Sequence, residues 1–396
     1  MTSEHPEGIA TYGRGALLPL YAAGFVTAFG AHSIAASLGG YTGGVHASLL
    51  SLGLLLAVYD GAEVLLKPVF GSLADRIGAR PVLLGGLVAF AAASAAFVLA
   101  GNPAMVGVAR LGQGAAAAAF SPAAGMLVAQ LTPGSGWGRG FGRYGAWKSL
   151  GYTLGPILGG VLIAAGGYPL LFATLGVLGA VVAGWAAIAV PGLTPLPKAR
   201  QTVADLARRL TSAGFLRPTT ALAAATGALS IGVGFLPVLG AYRGLGPLAT
   251  GALVSLLAGT ATLIQPRAGR MRDAGRVGDR AGMACGLAVS ALGSAAVLVP
   301  GIAGLIAAAV LIGVGVGVIT PIGFAHLAAN APPERLGQTM GAAEVGRELG
   351  DAGGPLFVGA VAAAFTLTPA VLAFAGLLAV VAGVVALPGN RSPGTQ

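Results

Sequence analysis

Long stretches of Leu, Val, Ala, Ile and Phe alternate along the chain with short stretches rich in Arg, Pro and Gly. The apolar runs are close to the ~20 residues that cross a ~30 Å hydrocarbon layer at ~1.5 Å per residue. The pattern predicts helices at about 15–38, 47–70, 81–100, 103–131, 145–165, 169–190, 218–240, 247–266, 281–299, 302–330, 338–364 and 369–387. Twelve is an even number, so both ends of the chain fall on one side. Loops 71–80, 132–144, 191–217, 267–280 and 331–337, with the two tails, hold nearly every Lys and Arg. The opposite set, near 39–46, 101–102, 166–168, 241–246, 300–301 and 365–368, holds only Arg243. The positive-inside rule then predicts cytoplasmic termini. In the longest loop, Pro191, Pro195 and Pro197 precede a stretch with Val203, Leu206 and Leu210 on one helical face and Arg208 and Arg209 on another, which predicts a short interfacial helix.

Composition sharpens this. Of 396 residues, 56% are hydrophobic and 9% charged, against roughly a quarter charged in soluble domains, which excludes a soluble enzyme. Glycine, at 68 residues, is interleaved with apolar residues without a short period, excluding collagen and disorder. The net charge of +10 resides in the alternate loops, so it marks orientation and not nucleic-acid binding. Cys285 stands alone within an apolar run and is expected to be a packing residue. Glu4 and Glu7 in the first 14 residues, without a basic start or cleavage site, predict that the first apolar run is retained as a span.

The chain also repeats. Shifted by 198 or 199 residues, LeuLeuLysProValPheGly at 65–71 matches LeuIleGlnProArgAlaGly at 263–269, and the Gly71 to Asp75 spacing recurs as Gly269 to Asp273. SerPro at 121–122 recurs as ThrPro at 320–321, and Gly142, Gly151, Gly155 and Pro156 recur as Gly341, Gly350, Gly354 and Pro355. The expected fold is therefore all-α: twelve transmembrane helices as two pseudo-symmetric six-helix bundles, residues 1–190 and 218–396, joined by a cytoplasmic linker over 191–217. Parallel repeats of this kind place a binding site at the midplane between halves that rock against each other.

GlySerLeuAlaAspArgIleGlyAlaArg, Gly71 to Arg80, resembles the signature loop between helices 2 and 3 of the major facilitator superfamily. Arg110, Gln113 and Gly114 have the spacing of that superfamily's second motif. Gly151 to Gly160, GlyTyrThrLeuGlyProIleLeuGlyGly, with Gly142 nine positions upstream, resembles the helix-5 motif of its twelve-helix drug:proton antiporters. The physical readings stand beside the resemblance. Gly71 and Gly78 permit tight turns, Asp75 can face the positive N-terminus of a neighbouring helix, and Arg76 and Arg80 follow the positive-inside bias. Gly151, Gly155, Gly159 and Gly160 allow close helix packing, and Pro156 bends the helix. GlyValGlyValGlyVal at 313–318 lies inside an apolar helix without the strand context of a dinucleotide loop, so no cofactor and no metal are expected.

Ionisable groups inside spans cost at least ~2.5 to 3.5 kcal/mol each near the centre and so face a cavity or a partner. Asp60, Glu63 and Lys67 share one face of helix 2, and Glu344, Arg347, Glu348 and Asp351 lie mostly within one sector of helix 11. The repeat places Ala258, Ala261 and Gln265 opposite the helix-2 set, so those charges are not part of the shared scaffold, a departure from the antiporter pattern. Helices 2 and 11 face each other in the resembled fold, and matched depths predict Lys67 with Glu344, and Glu63 or Asp60 with Arg347. Five acids against two bases leave three excess negative charges for protons, Arg110 or a cationic substrate to offset. Asp60, Glu63, Glu344, Glu348 and Asp351 are thus candidates for proton coupling, and Lys67, Arg347, Asp75, Arg76, Arg80 and Arg110 for gating ion pairs. His32, Tyr59, Gln113, Tyr152, Phe235, Phe324 and His326 are candidates for the substrate cavity.

With no nucleotide loop or catalytic constellation, the sequence predicts a monomeric secondary transporter of the inner membrane, not an enzyme. By resemblance it is a proton-driven exporter of small amphipathic compounds working by alternating access, its partners being that substrate, protons and the bilayer. A symporter or uniporter for a metabolite or anion, and a sensor or channel on the same scaffold, are the alternatives.

Overall fold

The computed structural model describes residues 14–44, 49–196 and 203–387. The two tails and Pro197, on which expectations above rest, lie outside them. Among the described residues all regular structure is helical: α1 Leu18–Gly44, α2 Leu49–Ile77, α3 Ala79–Val98, α4 Pro103–Leu131, α5 Trp137–Ala189, α6 Val203–Leu210, α7 Ala213–Tyr242, α8 Pro247–Asp273, α9 Asp279–Ala295, α10 Gly301–Asn330, α11 Leu336–Ala364 and α12 Leu367–Ala386, with four short 3₁₀ turns. Helix α5 is two spans in one. Its arms meet at Gly166 and Gly167, the latter at φ 72°, and Pro169 follows. An L side chain rarely adopts that backbone angle, so this two-glycine break supplies the turn expected near 166–168. Among the described residues eight helices, α5 counted once, are long and apolar enough to cross a membrane. Helices α2 and α11, 29 residues each, carry the intramembrane charges.

Several helices outrun their predicted ends. The hydropathy pattern placed the ends of α2 and α8 at 70 and 266, but they run to Ile77 and Asp273, and α5 begins at Trp137, eight residues before its predicted start. Hydropathy marks where a helix leaves hydrocarbon, whereas the backbone hydrogen bonds that define the helix continue into the polar zone. At the opposite end Arg243 donates to the carbonyls of Val299 (3.0 Å), Gly301 (2.7 Å) and Val297, closing the turn between α9 and α10. Cys285, expected in packing, is exposed on α9.

The repeat is visible in the packing. Within the first six spans α1 packs on α5, α2 and α3 on α4, and α3 on α5. Within the last six, α7 packs on α11, α8 and α9 on α10, and α9 on α12. The two bundles meet through α2 against α11 and, in the equivalent place, α8 against α5. Glycines make both kinds of contact possible. A Cβ at Gly151 would collide with the backbone of Phe25 and Phe29, at Gly155 it would press on Phe29 and Ser33, and at Gly159 on Ser33, so these three seat α5 on α1. Gly160 meets nothing and Pro156 is exposed, so neither makes this contact. Between bundles, Gly71 touches the backbone of Gly337 and Gly341, and Gly269 that of Gly138.

Overpacking a close contact costs ~1 to 3 kcal/mol. Gly155→Leu is therefore expected to lower the melting temperature of the purified protein by several degrees, while Gly160→Leu leaves it unchanged. Equal effects would remove the glycine seat from the account of α1–α5 packing.

Candidate functional site

The polar face of α2 runs through Tyr59, Asp60, Glu63 and Lys67, spaced so that each lies about one turn from the next. Lys67, 1% exposed, is the hub. Its Nζ lies 2.7 Å from Glu63 on its own helix, and 2.6 Å from Glu348 and 3.7 Å from Glu344 on α11. Glu344 also faces Arg347 at 3.1 Å and Lys148 of α5 at 3.6 Å. On the other flank the Tyr59 hydroxyl donates to Glu63 at 3.0 Å, Arg110 of α4 lies 4.3 Å over the Tyr59 ring, and Arg110 donates to Gln113 at 2.8 Å. One connected network thus joins α4, α2, α11 and α5 across the interface between bundles.

The expected Lys67–Glu344 contact is present. Arg347 does not meet Glu63 or Asp60. It pairs with Glu344, donates to Thr226 of α7 at 3.4 Å and lies 6.0 Å over the Phe324 ring. The reason is angular. At ~100° per residue Arg347 sits about a quarter-turn from Glu348, so Glu348 lies on the stripe that Gly337 and Gly341 press against α2, while Arg347 turns toward α7 and α10. Lys148 was missed altogether. It stands near the start of a predicted helix, where hydropathy reads a Lys as loop, yet it is buried and brings the bases in the network to four: Lys67, Arg110, Lys148 and Arg347. The signal that could have found it is its place 199 residues before Arg347. Asp60 and Asp351 are exposed. Asp351 accepts from the Ser230 hydroxyl, and neither makes an ion pair among the described residues. Both lie ~21 to 23 Å from the Asp75 level by helical rise.

Between α4, α5, α7, α8, α10 and α11 lies a cavity of about 40 Å³, whose lining includes Phe141, Tyr144, Lys148, Tyr152, Gln265, Phe324, Glu344 and Arg347. That volume admits a few waters, so an organic substrate needs the cavity to widen. Of the expected cavity residues, Tyr152 and Phe324 line it, and the His32 ring stands 4.4 Å edge-on to Tyr152. Four others do not line it. Tyr59 and Gln113 are buried between α2 and α4 under Arg110 and Glu63, and Phe235 packs against the apolar core. His326, one turn from the end of α10, is level with the basic loops and pairs there with Asp279 at 2.8 Å, which Arg272 also holds at 2.8 Å.

At the end carrying the basic loops, Asp75 lies in the last turn of α2 and accepts from the amides of Gly337 (2.6 Å) and Gln338 (2.9 Å), first-turn N–H groups of α11 that have no partner within the helix. Arg209 of the linker helix α6 donates to the Gln338 side chain at 2.6 Å. The repeat builds a second copy: Asp273 of α8 accepts from the amides of Gly138 and Arg139 at the start of α5, each at 2.8 Å, with the Arg139 guanidinium at 3.4 Å. Arg80 turns instead to the carbonyl of Ala187 at the end of α5, 2.5 Å away, and Arg76 is exposed. Among the described residues neither forms the gating ion pair expected of it.

The sequence model described as Major Facilitator Superfamily matches residues 20–274 and 220–395. The quinolone resistance protein NorA of Staphylococcus aureus is 29% identical over 111 residues, 28% of this chain and 29% of that relative. The MFS-type transporter ppzB of Metarhizium majus is 36% identical over 123 residues, 31% of this chain and 27% of the relative. The chain thus matches less than a third of the length of either. Among solved structures, the human organic anion transporter MFSD10 superposes with a TM-score of 0.80 at 19% identity, covering 94% of this chain and 99% of that one. The E. coli fucose:proton symporter FucP gives 0.77 at 15% identity, covering 93% and 97%. These two likenesses are of fold.

Each carboxylate at a helix N-terminus contributes ~0.3 to 2 kcal/mol, enough to shift a balanced two-state equilibrium several-fold. Asp75→Ala and Asp273→Ala are each expected to raise the population with the basic ends apart by that factor, read as a longer component in spin-label distances across that end. Unchanged distance distributions in both would contradict the paired latch.

Proposed function

This chain belongs to the Major Facilitator Superfamily and is a membrane transporter, not an enzyme, and from that premise we propose that it exports small amphipathic compounds in exchange for protons. The observation that carries the reading is the pair of exposed carboxylates, Asp60 and Asp351, at matched depth on α2 and α11 beyond the Lys67 cluster. A carboxylate inside a span without a cation is costly unless a proton or ligand reaches it. Asp60 lies within electrostatic range of Glu348, Asp351, Arg110 and Lys67, so a proton arriving there changes the field on the whole network.

In this reading residues 1–190 and 218–396 are the moving halves and 191–217 the cytoplasmic linker. The basic end faces the cytoplasm, with both termini there and the protein in the inner membrane. Contact between the halves at the two aspartate latches then makes this the outward-facing state, in which Asp60 and Asp351 take protons from outside. A proton passed on from Asp60 or Asp351 to Glu348 removes a charge that Lys67 holds across the interface, so it weakens the hold of α2 on α11 and favours separation of the cytoplasmic ends. No cofactor enters: the proton gradient supplies the energy, and a single chain suffices. The partial likeness to a quinolone resistance protein supports the substrate class and the direction.

The test is flux in proteoliposomes with an imposed proton gradient and a panel of amphipathic compounds. Wild type is expected to move substrate against the direction of proton flow. Asp60→Asn and Glu63→Gln are expected to reduce gradient-driven flux at least tenfold while leaving substrate exchange at zero gradient. Movement with the proton would overturn export in favour of symport, and gradient-driven flux close to wild type in both variants would remove these acids from coupling.

A further inference from the structure

Lys148 and Arg347 occupy equivalent positions of the two halves, 199 residues apart, and both line the central cavity. Glu344 lies between them, 3.6 Å from Lys148 and 3.1 Å from Arg347. The equivalent of Glu344 in the other half is Gly145, where a Cβ would collide with the Gln265 side-chain oxygen. The equivalents of Lys67 and Glu348 are Gln265 and Ser149, and Gln265 Nε2 donates to Ser149 Oγ at 2.8 Å. At this level the α8–α5 interface is thus built to the same plan as α2–α11 with neutral groups in place of Lys67, Glu344 and Glu348, so close packing of these helices does not require that cluster.

What the substitution leaves is an imbalance at the cavity wall. Two permanent cations stand on either side of the pseudo-symmetry axis, and the carboxylate that answers them exists in one half only. Glu63 and Glu348 are turned to Lys67 and do not line the cavity. On the side that lacks the carboxylate, Gln265 Oε1 and the Tyr144 hydroxyl are buried without a hydrogen-bond partner, a condition that costs ~1 to 3 kcal/mol per group unless a ligand or water meets it. Glu344 is already shared by Lys67, Lys148 and Arg347, so it has little to offer a cationic ligand.

We propose that the transported compound is an organic anion, whose carboxylate or equivalent group sits between Lys148 and Arg347 as the counterpart of Glu344, with an aromatic body against Tyr152 and Phe324. This rests on the reading of the chain as a transporter of small amphipathic molecules and narrows it to acids bearing a hydrogen-bond donor or an aryl face. A monoanion restores charge balance at the wall, and Arg347 can present two N–H groups to it in a plane.

Three probes of one shape separate charge from size: 2-naphthoate, 2-naphthamide and 2-naphthylmethylammonium. Their affinities are measured by calorimetry on the full chain in phosphatidylcholine nanodiscs at neutral pH. 2-Naphthoate is expected to bind at least tenfold tighter than the amide, and the ammonium compound weakest. Lys148→Gln is expected to abolish the preference for the acid while leaving amide affinity within about twofold. Glu344→Gln, which keeps both cations and removes their internal carboxylate, is expected to tighten 2-naphthoate several-fold, a gain that damage to the fold would not produce. Equal affinities for the acid and the amide, tighter binding of the ammonium compound, no binding of any probe, or no gain in Glu344→Gln would overturn the proposal. The measurement uses no gradient and reports no direction. A preference for the acid alongside failed proton-driven export would sink the export reading alone, and the reverse result this one alone.

Discussion

Lys67 is the constraint on which the arrangement turns. A buried ammonium must be neutralised by carboxylates in contact with it, and here one comes from its own helix and two from α11 in the other bundle. Removing one partner of a buried pair costs ~3 to 5 kcal/mol, because the charge left behind has lost its water without compensation. The cost of parting α2 from α11 therefore depends on what else can satisfy Glu344 and Glu348. Lys148 and Arg347 already share Glu344, so Glu344 keeps two cations if α2 is withdrawn, whereas the contact of Lys67 with Glu348 is lost. The glycines at 71, 337 and 341 serve this constraint by letting the two backbones approach until Lys67 reaches across.

The second interface keeps the latch aspartate of the same scaffold and has neutral groups where the first has the Lys67 cluster. Helices α8 and α5 meet through Gly269 and Gly138, an aspartate on two amides, and a glutamine on a serine. The neutral glutamine–serine bond contributes ~0.5 to 1.5 kcal/mol, and the charge this interface keeps is Asp273, on two amides with the Arg139 guanidinium at 3.4 Å. The molecule thus joins its halves with a latch aspartate at each interface and a buried charge cluster at only one of them.

Much of this was legible in the sequence where the physics is one-dimensional. Hydropathy set the twelve crossings and the break at Gly166 and Gly167, and the 198- and 199-residue offsets set the pairing of α2 with α8 and of α5 with α11. The Gly71 to Asp75 spacing pointed to a carboxylate at a helix N-terminus, which Gly337 and Gln338 supply. Rotation and edges were not legible. Arg347 and Glu348 are neighbours in sequence but a quarter-turn apart, so depth alone assigned Arg347 the partner that Lys67 takes. Lys148 was hidden because a cation at a helix start reads as loop, and His326 was misplaced because helix identity was taken for cavity lining without its level along α10.

The most direct test of the Lys67 hub is a double-mutant cycle on Lys67→Gln and Glu348→Gln, read as the ratio of closed to open basic ends from spin-label distances. A coupling energy of about 1 kcal/mol or more is expected for contacting charges, with the cycle on Glu63→Gln and Arg347→Gln additive within about 0.3 kcal/mol. Additive effects of Lys67→Gln and Glu348→Gln would contradict the claim that this cluster holds the halves together.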